Sequence, residues 1–242
     1  MILSKKGIVY ELFEGNGSRK ENLVFVHGSG CNKKFLQAMQ NCLQEFNCFF
    51  IDLPGHGESK NRSYSKDSYV DAVCNFVRDI DNVVLIGHSL GGTIVLEASS
   101  KNIDTIKKAI ILNSGAAFPK LNKEFATKIH KGIIDFDYFL KCLGHSDNKQ
   151  VQEAIDTFEA EEIIIKDFII DESIDVTFCL KNIDIPILIV TGGDEILTLV
   201  EYSQLINQEV KNSKLVVVPN SRHMLPIAKR EYVCDLIKEF IN

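Results

Sequence analysis

Val83-Val84-Leu85-Ile86-Gly87-His88-Ser89-Leu90-Gly91-Gly92-Thr93-Ile94-Val95-Leu96-Glu97-Ala98-Ser99 is the stretch that decides how this chain folds. Four apolar residues in a row, three of them β-branched, predict a strand buried on both faces. Thr93 to Ser99 is compatible with a helix. A strand that runs into a helix through so short a turn crowds its own backbone, so small residues are needed two positions either side of Ser89. Such a turn lifts the serine hydroxyl clear of the sheet at the C-terminal edge of the strand. It also places it at a helix N-terminus, where free N–H groups and the helix dipole favour developing negative charge. Ser89 is therefore a candidate nucleophile. The plainer alternative is a glycine-rich turn with a capping serine.

Working outward, short β-rich runs recur at residues 8–13, 23–27, 48–53, 109–113, 187–191 and 215–218. Helical spacing separates them: Phe35, Met39, Leu43, Phe46; then Tyr69, Val73, Phe76, Val77, Ile80; and, near the C-terminus, Tyr232, Val233, Leu236, Ile237, Phe240. Alternating β and α elements predict an α/β fold, a mostly parallel central sheet with helices on both faces. One region breaks the rhythm. Residues 117–180 hold no convincing buried strand and read as several helices. The expected organisation is a core of residues 1–116 and 181–242, with 117–180 inserted as a helical cap. Glu153 to Asp175 carries nine acidic residues against one lysine, an excess larger than the whole chain's net charge of −6. The expectation is a solvated acidic face; the functional alternative is a field that disfavours anionic substrates.

The 242 residues suffice for one sizeable core, and 45% hydrophobic with 25% charged residues is ordinary for a globular chain. The acidic balance argues against a nucleic-acid partner. Seven cysteines occur with no CxxC pair, so reduced thiols are expected rather than disulfides or a zinc site. No apolar run approaches the roughly 20 residues of a membrane helix, so no membrane span is expected. Residues 1–6 lack the apolar stretch of a secretion signal, and a cytoplasmic location is expected.

A serine needs a base. His223 follows the last predicted strand, in Pro219-Asn220-Ser221-Arg222-His223, and so reaches the same sheet edge as Ser89. His27 and His88 lie beside glycines inside motifs, His56 lies in a turn, and His130 and His145 fall in the insertion. The base needs an orienting carboxylate. Thr191-Gly192-Gly193-Asp194-Glu195 ends the penultimate strand and offers two candidates, Asp194 and Glu195. Asn113-Ser114-Gly115, at the end of the strand before the insertion, offers none.

In these motifs and their order the chain resembles the α/β-hydrolase superfamily, of the lipase and esterase kind with a helical cap. His27-Gly28-Ser29-Gly30 is similar to the oxyanion loop after the third strand. Asp52-Leu53-Pro54-Gly55-His56-Gly57-Glu58-Ser59 is similar to the turn after the fourth, read here as structural. Gly87 to Gly91 resembles the nucleophile elbow, and His223-Met224 the terminal histidine loop. The resemblance implies a Ser89–His223–acid triad and an oxyanion hole from the backbone N–H groups of Ser29 and Leu90. The family's spacing from Gly192 favours Glu195, whereas Asp194 has the more usual chemistry one residue early. Arg222 stands where the family prefers glycine. The implied activity is hydrolysis of a small carboxylic ester through an acyl-enzyme, with no metal or organic cofactor. Thioester or C–C bond hydrolysis uses similar equipment, and a ligand-binding sensor with little turnover is an alternative of another class. Phe118, Phe136, Tyr138 and Phe139 are candidates to line the substrate pocket, or plain cap core. Oligomeric state leaves no mark in the pattern.

Overall fold

Side chains alternate across a strand, and here both faces are apolar. In β3 (Asn22–Val26), Leu23 and Phe25 join one core cluster while Val24 and Val26 join another. β5 (Val83–His88) repeats this with Val84 and Ile86 on one side and Val83 and Leu85 on the other. The sheet therefore needs helices on both faces to keep these residues dry. In the computed structural model, residues 2–59, 64–120, 122–144 and 148–242 are described. His145 lies outside the described residues.

The remaining strands are β1 (Ile2–Lys5), β2 (Ile8–Phe13), β4 (Asn47–Ile51), β6 (Ile106–Leu112), β7 (Ile187–Gly192) and β8 (Ser213–Val218). They form one eight-stranded sheet in the order β1-β2-β4-β3-β5-β6-β7-β8. β1 and β2 pair antiparallel, as do β2 and β4; every other pair is parallel. The fold is thus the expected α/β architecture.

The cluster built on Leu85 and Ile111 takes in α1 (Lys66–Val77), α2 (Leu90–Ser99) and α7 (Val200–Glu209). The opposite cluster takes in α9 (Arg230–Ile241), the short α8 (Leu225–Ala228) and a 3-10 segment, Gln37–Cys42. Between β6 and β7 lie α3 (Lys123–His130), α4 (Phe136–Leu143), α5 (Lys149–Ile155), α6 (Glu161–Ser173) and a second 3-10 segment, Thr177–Asn182.

Two local expectations differ. Phe35 to Phe46 is not an α-helix. Its bonds close at three residues, as in Met39 N–H to Leu36 O and Phe46 N–H to Leu43 O. Both helix types put residues three apart on one face, so spacing alone could not separate them. β1 was not anticipated, because four half-exposed residues at a sheet edge give no apolar run. All seven cysteines are free. Among the described residues no helix is long and apolar enough to cross a membrane.

Candidate active site

Ser89 ends β5 and begins α2 with φ 54° and ψ −126°, a backbone conformation costly for a residue with a Cβ. Four hydrogen bonds hold it. Ser89 N–H donates to Leu112 O, while Ser89 O accepts from Gly92 N–H, Thr93 N–H and, at 2.6 Å, Ser114 Oγ. Gly91 must be glycine, since a Cβ there would strike the Val26 and His27 carbonyls of β3 and the loop after it. The Ser89 hydroxyl caps nothing. It faces a cleft and makes no hydrogen bond among the described residues. The capping alternative is therefore excluded.

His223 lines the same cleft. Its ring lies 4.8 Å, centroid to centroid, from His88, whose Nε2 is 2.9 Å from His223 O. His88 is fully buried. Burial, then the neighbouring charge of His223, hold it well below the usual imidazole range. It is neutral, and its Nε2–H donates to the His223 carbonyl. On the far side, His223 Nδ1 is 3.3 Å from Glu195 Oε2. That carboxylate is buried and accepts from Asn113 Nδ2 at 2.6 Å, Thr198 N–H at 3.0 Å and Thr198 Oγ1 at 2.9 Å. Burial alone would raise the Glu195 carboxyl; the charge of His223 and these hydrogen bonds outweigh it and hold the group below its ordinary value.

Asp194 is exposed, and its N–H is used in the turn, donating to Ser221 O at 3.0 Å. Only Glu195 of the two acids meets His223. The Arg222 departure also has a consequence. Its Nη1 donates to Lys141 O at the end of α4, and Met224 N–H donates to Leu143 O, so the histidine loop is strapped to the insertion.

The His27–Gly30 loop passes against Ser89; a Cβ on Gly28 would come within 2.9 Å of the Ser89 Cβ. His27 fixes the loop from below. Burial, then the proximity of His56, lower it to about 3, so it is neutral. Its Nδ1–H donates to Gly28 O and its Nε2 accepts from Leu53 N–H. The N–H groups of Ser29 and Leu90 are not used by the fold's own hydrogen bonds among the described residues. The Asp52–Ser59 turn is a brace: Asp52 binds Lys33 through main chain and side chain, and Ser59 Oγ accepts from Val9 N–H.

Sequence reasoning missed the acids that turn inward from the insertion. Six of the nine between 153 and 175 are exposed, but Asp167 and Asp171 of α6 are buried and Glu159 is half-buried. Asp167 accepts from Gly30 N–H and Tyr69 OH, and pairs with His56 Nε2 at 2.8 Å. Both nitrogens of His56 face acceptors, Pro54 O and Asp167, so both carry protons. Burial would lower this imidazole, but the bond to Asp167 and its charge raise it. Asp171 Oδ2 is 2.6 Å from Ser29 Oγ. Spacing of four on a helix was the available signal, masked by the other acids around it.

Of the four aromatic candidates, Phe139 and Phe118 line the cleft. Phe136 is exposed, and Tyr138 packs on Phe125 and is not among the residues that line the cleft. Phe35, Leu143, Phe158, Phe168, Leu197 and Met224 complete the wall of the cleft. Among the described residues no group of three or more His, Cys, Asp or Glu is placed to hold a metal ion.

Residues 23–236 match the model of the alpha/beta hydrolase family. The chain belongs to this family. Within it, the fold superposes on the crystal structure of a lipase-esterase related protein from Clostridium acetobutylicum with a TM-score of 0.93, at 39% identity, over 96% of this chain and 99% of that one. A pimeloyl-[acyl-carrier protein] methyl ester esterase from Wigglesworthia glossinidia brevipalpis is 26% identical over 93% of this chain and 95% of its own. A proline iminopeptidase from Saccharolobus solfataricus is 25% identical over 97% and 89%. These family relatives are hydrolases, and hydrolysis is the chemistry this member is built for.

Proposed function

We propose that this chain is a serine carboxylester hydrolase acting on small esters through an acyl-enzyme. The observation that carries the reading is the Ser89 hydroxyl, unpartnered among the described residues and held on a strained turn in the same cleft as His223, which is backed by the buried Glu195. Ser89 Oγ attacks the ester carbonyl as His223 takes its proton. Glu195 holds the imidazole tautomer with Nδ1–H toward the carboxylate and stabilises the imidazolium. The N–H groups of Ser29 and Leu90 receive the oxyanion; one such donor is worth about 3–4 kcal/mol in the transition state. His223 then protonates the leaving alkoxide, and water removes the acyl group by the reverse roles. Residues 117–180 act as the cap, closing the cleft with Phe139, Phe158 and Phe168. The esterase relatives support the ester class.

Pre-steady-state hydrolysis of p-nitrophenyl butyrate tests this. The wild type releases a burst of one p-nitrophenolate per chain, and Ser89→Ala abolishes it. Turnover without Ser89, or ligand binding with no burst, would overturn the reading, the latter in favour of a sensor.

A further inference from the structure

The cleft beside Ser89 holds a polar group that the mechanism above leaves unused. Asp171 is buried; its Oδ2 is taken up by Ser29 Oγ at 2.6 Å, but its Oδ1, also buried, has no hydrogen-bond partner among the described residues. The side chain lines a compartment together with Ser89, Phe118, Phe168, Leu197 and Thr198. Three of these neighbours are apolar, and Thr198 Oγ1 is already committed to Glu195. A buried oxygen left without a partner is destabilising. A ligand that meets it recovers that cost.

Charge decides which ligand. Asp167, one turn earlier, is matched by His56, which both its acceptors keep protonated. Asp171 faces Ser29, and among the described residues no ion pair reaches it. Burial, and then the negative charge of Asp167 working against the Ser29 bond, push its carboxyl up to about 8. At neutral pH it is mainly the uncharged acid. An ammonium group finds no formal charge there, an anion finds no cation among the described residues, and an alkyl chain leaves Oδ1 unsatisfied. A hydroxyl, which donates and accepts, suits it in either protonation state.

We propose that Asp171 recognises a hydroxyl on the substrate, so that the favoured substrates are esters bearing a hydroxyl a few bonds from the scissile carbonyl. This rests on the serine-hydrolase reading and names its substrate class. The test compares kcat/KM at pH 7 for ethyl butyrate, ethyl 3-hydroxybutyrate, 2-hydroxyethyl butyrate and ethyl 4-aminobutyrate, using wild type, Asp171→Leu and Ser29→Ala. The two hydroxylated esters probe the acyl and alcohol halves. In the wild type, one of them exceeds ethyl butyrate by about 10-fold, the yield of one good hydrogen bond. The ratio falls towards one in Asp171→Leu. Ser29→Ala lowers kcat on every ester and keeps the preference, which separates recognition by Asp171 from positioning through Ser29.

A wild type that treats the hydroxylated and plain esters alike, or ranks the amino ester first, overturns the inference, even if Asp171→Leu fails to fold. So does a preference that survives Asp171→Leu. Hydrolysis of all the esters without discrimination sinks only this inference; hydrolysis of none, or hydrolysis that persists in Ser89→Ala, sinks the esterase reading as well.

Discussion

Ser89 pays for its reach in backbone strain, and two substitutions separate the two effects. Ser89→Ala removes the hydroxyl and keeps a Cβ at φ 54°; Ser89→Gly removes both. Both are inactive, but Ser89→Gly melts higher, because strain of about 1–3 kcal/mol exceeds the roughly 0.5–1 kcal/mol entropic cost of glycine. Thermal unfolding of the pair reads this directly. Glu195→Gln lowers kcat on p-nitrophenyl butyrate by about 10³–10⁴-fold through loss of tautomer control and of the imidazolium's counter-charge. Asp194→Asn, at an exposed site away from His223, changes it by about twofold or less. For Asp171 the linkage runs against stability. Its folded carboxyl, near 8, lies above the ordinary value of 3.8, so between these pH values the folded chain binds the extra proton and stability declines as pH rises. The Tm advantage of Asp171→Asn over wild type therefore widens from pH 5 to pH 8.

At the scale of elements, α6 is tied to the sheet by polar groups. Asp167→Ala strands His56, the Tyr69 hydroxyl and the Gly30 N–H in a buried place, and costs about 3–5 kcal/mol by urea unfolding. Because the folded His56 is raised above its ordinary 6.5, its contribution is fully present below that pH and is lost as pH rises through the folded value. The stability gap between wild type and His56→Gln narrows accordingly on going alkaline. How far the sequence shows these elements depends on the kind of signal. Buried parallel strands announce themselves as apolar runs, and Val83 to Ser99 carried strand, bend and helix in seventeen consecutive letters. Ser89 was legible because it follows such a strand, and His223 because the apolar run at residues 215–218 marked β8 even at the sheet edge. Glu195 was not separable from Asp194, since adjacent residues share every local signal and only the fold turns one inward. Asp167 and Asp171 were hidden for a different reason. A buried acid and a solvated one are the same letter, and what distinguishes them lies in partners such as Ser29 and His56, more than a hundred residues away.

At the scale of the whole molecule, two cores share one sheet, so the strands between them carry the stability. Leu85→Ala in central β5 opens a cavity in a fully buried cluster and costs about 2–5 kcal/mol. Val217→Ala in edge strand β8, where the side chain is 42% exposed, costs less than about 1 kcal/mol. Chemical denaturation of the two variants checks the contrast. The same architecture limits how a guest can enter. The loop that carries Ser29 is grasped by the insertion at several points: Asp167 on the Gly30 N–H, Asp171 on the Ser29 hydroxyl, Glu159 N–H on the Gly30 carbonyl, and Asn32 on Thr157 and Glu159. Roof and floor are stitched together there. Hinging α6 outward would break these bonds or drag the Ser29 loop with it. On the opposite flank α4 grips the histidine loop in the same way, through Lys141 O on Arg222 and Leu143 O on Met224, so the insertion holds both walls of the cleft.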